Sequence, residues 1–285
     1  MALARSLSEA LGPMTAVAAV YSVSGGLAVV SLLRSKERRR RILRLPVRYL
    51  AGCGVLFVAY MLVLFLAIGW ADGRQQVLEV GLLNYLWPAL TLVFSLVLLG
   101  NRASWLLIPG TLLALAGVFL VITDRTPVSW RSFSSNVAGS PAAYSLALAA
   151  AVIWATYSNL TRKWAGDREE GGVDLFLPLM TILLLPVWVL NDGHREWSGR
   201  AVAEAVFLGG ATYAAYALWD HAMRRGRIIL VAAASYLTPL LSTIVSCFYL
   251  TVVPGPKLWI GCSILVLGSI LSWQSISVAS ERKAT

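Results

Sequence analysis

Polar residues are sparse along this chain and fall at intervals, leaving apolar runs of about 18–25 residues, the length a tilted helix needs to cross a bilayer. The pattern predicts spans over roughly 13–33, 49–70, 76–99, 104–123, 142–161, 173–190, 201–222, 228–251 and 257–279. Residues 1–12 carry Arg5 and Glu9 and are too short to cross. They also lack the apolar core and cleavage site of a signal peptide. The prediction is therefore an all-α polytopic membrane protein with nine full spans behind an N-terminal stub. Short connectors such as Asn101-Arg102 imply antiparallel neighbours, and the Ser-rich segment from Asp124 to Pro141 joins the two halves.

One span breaks the pattern. Glu79-Val-Gly-Leu-Leu-Asn84-Tyr85-Leu86-Trp87-Pro88 places an amide, two aromatics and a proline inside the segment 76–99. Pro88 has no N–H, so a helix there leaves the Asn84 carbonyl unpaired one turn back. In hydrocarbon, protein, water or a ligand must replace that partner. The device recurs at Ser235-Tyr236-Leu237-Thr238-Pro239. At an offset of 151, Tyr85 falls on Tyr236, Pro88 on Pro239, Ser95 on Ser246, Gly110 on Gly261 and Gly117 on Gly268. Five spans lie between the copies, so the second enters from the opposite side. Inverted repeats with matching broken helices point to an alternating-access transporter with its site near the midplane.

Composition and charge agree. Hydrophobic residues make up 58% and charged residues 13% of the 285, where soluble domains carry about 25% charged. The net charge of +10 is a topology signal, because one set of connectors holds seventeen Lys and Arg and the other six. The basic run Arg34–Arg41 and the C-terminus are expected in the cytoplasm. That run suits anionic lipid, and no nucleic-acid partner is expected. Cys53, Cys247 and Cys262 lie in apolar segments without paired spacing, so neither a disulfide framework nor a metal site is expected.

The candidate substrate cavity comprises Asn84, Tyr85, Trp87 and Pro88; Trp154, Tyr157 and Ser158, with Asn159 beside them; and Ser235, Tyr236 and Pro239. Aromatic walls with a few hydroxyls and freed carbonyls suit a flat or apolar ligand with a small polar head. Charged groups are absent from the span centres. Glu79 and Glu204 lie towards the outer ends, Asp220 and His221 towards the inner end. Intramembrane charges mark coupling sites, so their absence favours facilitative or weakly coupled transport. Glu79, Tyr60 and His221 remain candidates for gating or coupling. No Walker loop, metal set or nucleophile–base pair supports an enzyme, and no cofactor or catalytic residue is expected.

The chain resembles the drug/metabolite transporter superfamily with its two EamA-type five-helix repeats, and more closely the YddG-type aromatic amino-acid exporters of bacterial inner membranes. The residues carrying this are Ser8–Pro13 with Tyr21–Gly25, Glu79–Gly81 with Asn84–Pro88, Ile153–Tyr157 and Ser235–Pro239. The resemblance implies ten helices, cytoplasmic termini and export of aromatic and other neutral amino acids; for such a substrate the ammonium is assigned to the Asn84 and Ser235 carbonyls and the carboxylate to Ser158, Asn159 or main-chain donors. It divides the chain into a first repeat over 1–123 with a shortened first helix, an extracytoplasmic connector over 124–141, a second repeat over 142–279 and a tail over 280–285. The alternative is an exporter of another metabolite or drug, such as a nucleobase or quaternary amine, held by cation–π contacts. A monomer is expected.

Overall fold

The computed structural model of the chain describes residues 2–123, 130–166, 168–190, 197–238, 240–241, 244–245 and 256–277. It is an all-α polytopic membrane protein. Pro13–Arg34, Tyr49–Gly69, Gln75–Leu98, Pro141–Ala165 and Gly199–Arg225 are long and apolar enough to cross a membrane. Leu107–Val121, Val173–Pro186 and Leu258–Gln274 are shorter apolar helices. Two of these fall short of the predicted spans 104–123 and 257–279 for a visible reason. Arg102–Ala103 (β1) pairs antiparallel with Ile276–Ser277 (β2), and the Ser104 amide donates to the Ser275 carbonyl at 2.7 Å. That pairing takes Arg102–Ala103 and Ile276–Ser277 out of helix, and turns at 105–106 and 275 join them to the helices.

The chain folds into two compact units, Met1–Val58 with Trp164–Gly226 and Ala59–Lys163 with Arg227–Thr285. Each draws on both halves of the sequence. The first unit holds α1 (Ala2–Leu11), α2 (Pro13–Arg34), α3 (Lys36–Leu43), a π-helical turn (Tyr49–Cys53) and the start of α4 (Gly54–Gly69), whose residues from Ala59 onward belong to the second unit, together with α10 (Val173–Val189) and α11 (Gly199–Arg225). Gly12, at φ 77°, makes the corner between α1 and Pro13, a conformation glycine adopts freely. Leu7 and Leu11 of α1 pack with Ala16, Ala201 and Ala205. Thr181 Oγ1 donates to the Tyr21 carbonyl at 2.6 Å, where Gly25 leaves room for it.

Buried charge tightens one end of this unit. Tyr49 Oη donates to Asp220 at 2.7 Å and accepts from the Gly172 amide at 2.8 Å, while Arg224 pairs with Asp220 at 2.8 Å. Asp174, 3% exposed, accepts from Ser31 at 3.1 Å and Tyr213 at 3.0 Å and pairs with Arg38 at 3.1 Å. Burial alone would lower the Arg38 pKa. The Asp174 and Glu170 carboxylates outweigh it and hold the guanidinium above its ordinary value.

The second unit holds α5 (Gly73–Asn84), α6 (Trp87–Leu98), α7 (Leu107–Ile122), α8 (Trp130–Gly139), α9 (Pro141–Ala165), α12 (Ile228–Ala234) and α13 (Pro256–Gln274). The segment expected to be a plain connector over 124–141 carries α8. Its Phe133 and Val137 pack against a core of Ala67, Val80, Ala143, Tyr144 and Ala147. Helices α7 and α13 pack closely along Gly110, Gly117, Gly261 and Gly268, as small residues permit in membranes.

Candidate functional site

The site is built on a helix that breaks where the sequence predicts. Helix α5 ends at Asn84, Tyr85 and Leu86 form a turn, and α6 restarts at Trp87 with Pro88 in its first turn. Proline suits that position because its missing N–H has no intrahelical partner there anyway. The turn is closed by the Tyr85 amide on the Gly81 carbonyl at 3.0 Å and the Leu86 amide on the Leu83 carbonyl at 3.1 Å. The second copy breaks likewise: α12 ends at Ala234, and Ser235 and Tyr236 form a turn.

Around the first break, four rings converge. Trp154 of α9 is the hub, 5% exposed. Its ring centroid lies 4.5 Å from Tyr60, 5.0 Å from Tyr157 and 6.3 Å from Trp87, the last edge-on at 81°. Positions 154 and 157 share a face of α9 because three residues make nearly one turn. Asn84 Nδ2 lies 3.4 Å from Tyr60 Oη, and Asn84 Oδ1 is buried with no hydrogen-bond partner among the described residues.

Two assignments change with the hydrogen bonds in view. Ser158 Oγ donates to the Trp154 carbonyl at 2.8 Å, and Asn159 Nδ2 donates to the Thr91 and Ala155 carbonyls at 3.0 and 2.9 Å. These donors are occupied, so the side chains offer a ligand acceptor atoms rather than carboxylate-binding protons. The Ser235 carbonyl, expected to be free, accepts from the Thr238 amide at 3.1 Å, because the turn tightens to an i→i+3 bond. Ser235 and Tyr236 are 8% and 0% exposed, on a segment packed against α6 and α13. Pro239 and Cys247 lie outside the described residues. Tyr85 is half-buried and Pro88 buried.

Glu79 is fully buried. Asn136 Nδ2 reaches both carboxylate oxygens at 3.2 Å, Gln75 Nε2 donates at 3.0 Å, and the Tyr144 hydroxyl completes the set. Gln75 also bonds Ser132 at 3.1 Å, so α5 is fastened to α8 at two levels. Sequence reading did not find Asn136, Tyr144 or Gln75. The available signals were the four-residue steps, Gln75 to Glu79 and Ser132 to Asn136. His221 is exposed on α11, in the first unit. Among the described residues no group of three or more His, Cys, Asp or Glu could hold a metal.

The profile of the EamA-like transporter family matches residues 1–123 and again 141–274. The chain is 36% identical to the aromatic amino acid exporter YddG of Salmonella typhimurium (strain 14028s / SGSC 2262), over 95% of this chain and 90% of the relative. It is 34% identical, with the same coverage, to the aromatic amino acid exporter YddG of Escherichia coli strain K12. A solved crystal structure of a protein 28% identical superposes with a TM-score of 0.76, covering 95% of this chain and 91% of that one. With its broken apolar helices, its ring cluster and matches over both halves, the chain belongs to the EamA-like transporter family.

Proposed function

We propose that the protein exports aromatic and other neutral amino acids across the bacterial inner membrane as a monomer, by alternating access of two inverted repeats, with facilitative or weakly coupled energetics. The ring cluster around Trp154 carries this reading. An aromatic side chain exchanges one ring–ring contact for another there, at little cost in packing. The unpartnered Asn84 Oδ1 and the proline-freed Asn84 carbonyl are acceptors for the substrate ammonium. The relatives named for aromatic amino-acid export support the same substrate class.

Charge sets the affinity. The ring cluster contains no ionised side chain, and the donors of Ser158 and Asn159 are occupied. Binding is therefore weak, around the millimolar level, worth about 4 kcal/mol. Glu79 is held by neutral donors, a role in fastening α5, and a proton-linked role would show as pH-gradient-dependent flux. By its basic connectors the C-terminus faces the cytoplasm.

Purified protein in liposomes should move tryptophan, phenylalanine and tyrosine down a gradient, with competition among them. Flux of a quaternary amine or nucleobase that free amino acids fail to inhibit would replace this substrate class with another.

A further inference from the structure

Arg44 and Arg168 flank a cavity of about 320 Å3 in the first unit, lined also by Arg41, Leu45, Glu169 and Glu170. The two glutamates already have partners: Glu169 pairs with Arg41 at 2.8 Å and Glu170 with Arg38 at 3.0 Å. Arg44 and Arg168 have no ion pair among the described residues, and both side chains are exposed. Their backbones are fixed. The Arg44 amide donates to the Arg41 carbonyl at 3.2 Å, and the Arg168 carbonyl accepts from the Arg224 guanidinium. The cavity is thus a preformed place with two guanidinium forks that make no ion pair among the described residues.

Its surroundings say what would fill it. The apolar helix α2 ends at Arg34 and the next apolar span begins at Tyr49, which puts residues 35–48 at the level of lipid headgroups. Leu43 and Val47, on either side of Arg44, are 62% and 79% exposed. Exposed apolar side chains beside paired arginines suit a molecule that carries both a phosphate and a hydrocarbon chain. A soluble phosphate ester would leave that apolar surface in water.

We propose that this cavity binds the phosphate of an anionic phospholipid with a glycerol headgroup. Arg44 and Arg168 hold the phosphate oxygens through their planar forks. The exposed Glu169 carboxylate accepts from a headgroup hydroxyl and disfavours headgroups that carry a carboxylate. The site is independent of the transported substrate, because its readout is lipid retention.

The test is native mass spectrometry of the purified full chain titrated with phosphatidylglycerol, phosphatidylserine or phosphatidylcholine. Phosphatidylglycerol should be retained in preference to both others. In the R44Q/R168Q double variant its binding should weaken roughly 30-fold, at about 1 kcal/mol per arginine. R39Q/R40Q, on the neighbouring helix face, should keep it. Equal loss in both variants would reduce the effect to diffuse surface attraction and overturn the site. Displacement of bound lipid by millimolar inorganic phosphate or glycerol phosphate would overturn the lipid assignment. If the glutamine variant is not recovered folded, R44K/R168K keeps the charge without the forks, and unchanged binding in it would also overturn the proposal.

Discussion

A Cβ placed on Gly117 would lie 2.4 Å from the Leu265 amide nitrogen, and one placed on Gly268 would lie 2.2 Å from the Ala114 amide nitrogen. Positions 117 and 268 differ by 151, as do 114 and 265. The same exchange relates Gly110 against Ser272, at 2.7 Å, to Gly261 against Val121, at 3.1 Å. Contacts that swap in this way are those of a two-fold relation. Along them α7 and α13 run antiparallel. Two equivalent helices pointing opposite ways support the inverted-repeat reading, and at this contact the glycines let two backbones touch.

Gly117→Ala and Gly268→Ala should therefore destabilise the protein to a similar degree, by about 1–3 kcal/mol, since backbone cannot move aside as a side-chain tip can. Gly210→Ala, where a Cβ meets nothing within 4 Å, should be close to neutral. Unfolding in detergent followed by circular dichroism checks this. Equal midpoints for all three would show that the close approach relaxes freely.

Asp220 and Arg224 are 2% and 3% exposed and pair within one helix. Arg224→Ala leaves the carboxylate buried with the Tyr49 hydroxyl but without its guanidinium partner, a loss of about 3–5 kcal/mol. Replacing both, Asp220→Asn with Arg224→Met, should restore much of that. A double-mutant cycle on thermal unfolding measures the difference, and a fully additive result would remove the pairing argument.

At Glu79 every described partner is a donor. Glu79→Gln turns one acceptor into a donor facing donors, a loss of about 1–3 kcal/mol. It should loosen α8 before the rest of the unit. Hydrogen exchange over residues 130–139 should rise in Glu79→Gln and less in Tyr144→Phe, which removes only one donor. Exchange that rises uniformly across the chain would show that the clasp is not local to α8.

Trp154 touches three other rings, whereas Tyr157 meets Trp154 ring to ring, a contact that phenylalanine keeps. Trp154→Ala should abolish aromatic amino-acid flux in liposomes, Trp154→Phe should lower it, and Tyr157→Phe should leave it near the starting level. Intact flux in Trp154→Ala would keep transport and discard this binding site.

Some of this was legible in the chain alone. The lengths of the apolar runs, the proline at position 88 and the ungapped register at 151 are local or periodic properties, and they predict the membrane class, the break after Asn84 and the matching glycines. Side-chain partners were not legible, because they depend on which helices meet. Ser158 and Asn159 read as donors for a ligand until their bonds to nearby carbonyls are seen, and the Ser235 carbonyl read as free until its turn closes onto Thr238. Asp174 and Arg38 lie 136 positions apart, with no spacing to link them. The sequence by itself determined the solvent this protein folds in and where its helices must break, since hydrophobicity and the missing proline N–H act through the chain's own neighbours. Only the tertiary structure decided which polar atoms remain unengaged, because a buried donor takes the nearest acceptor that packing provides.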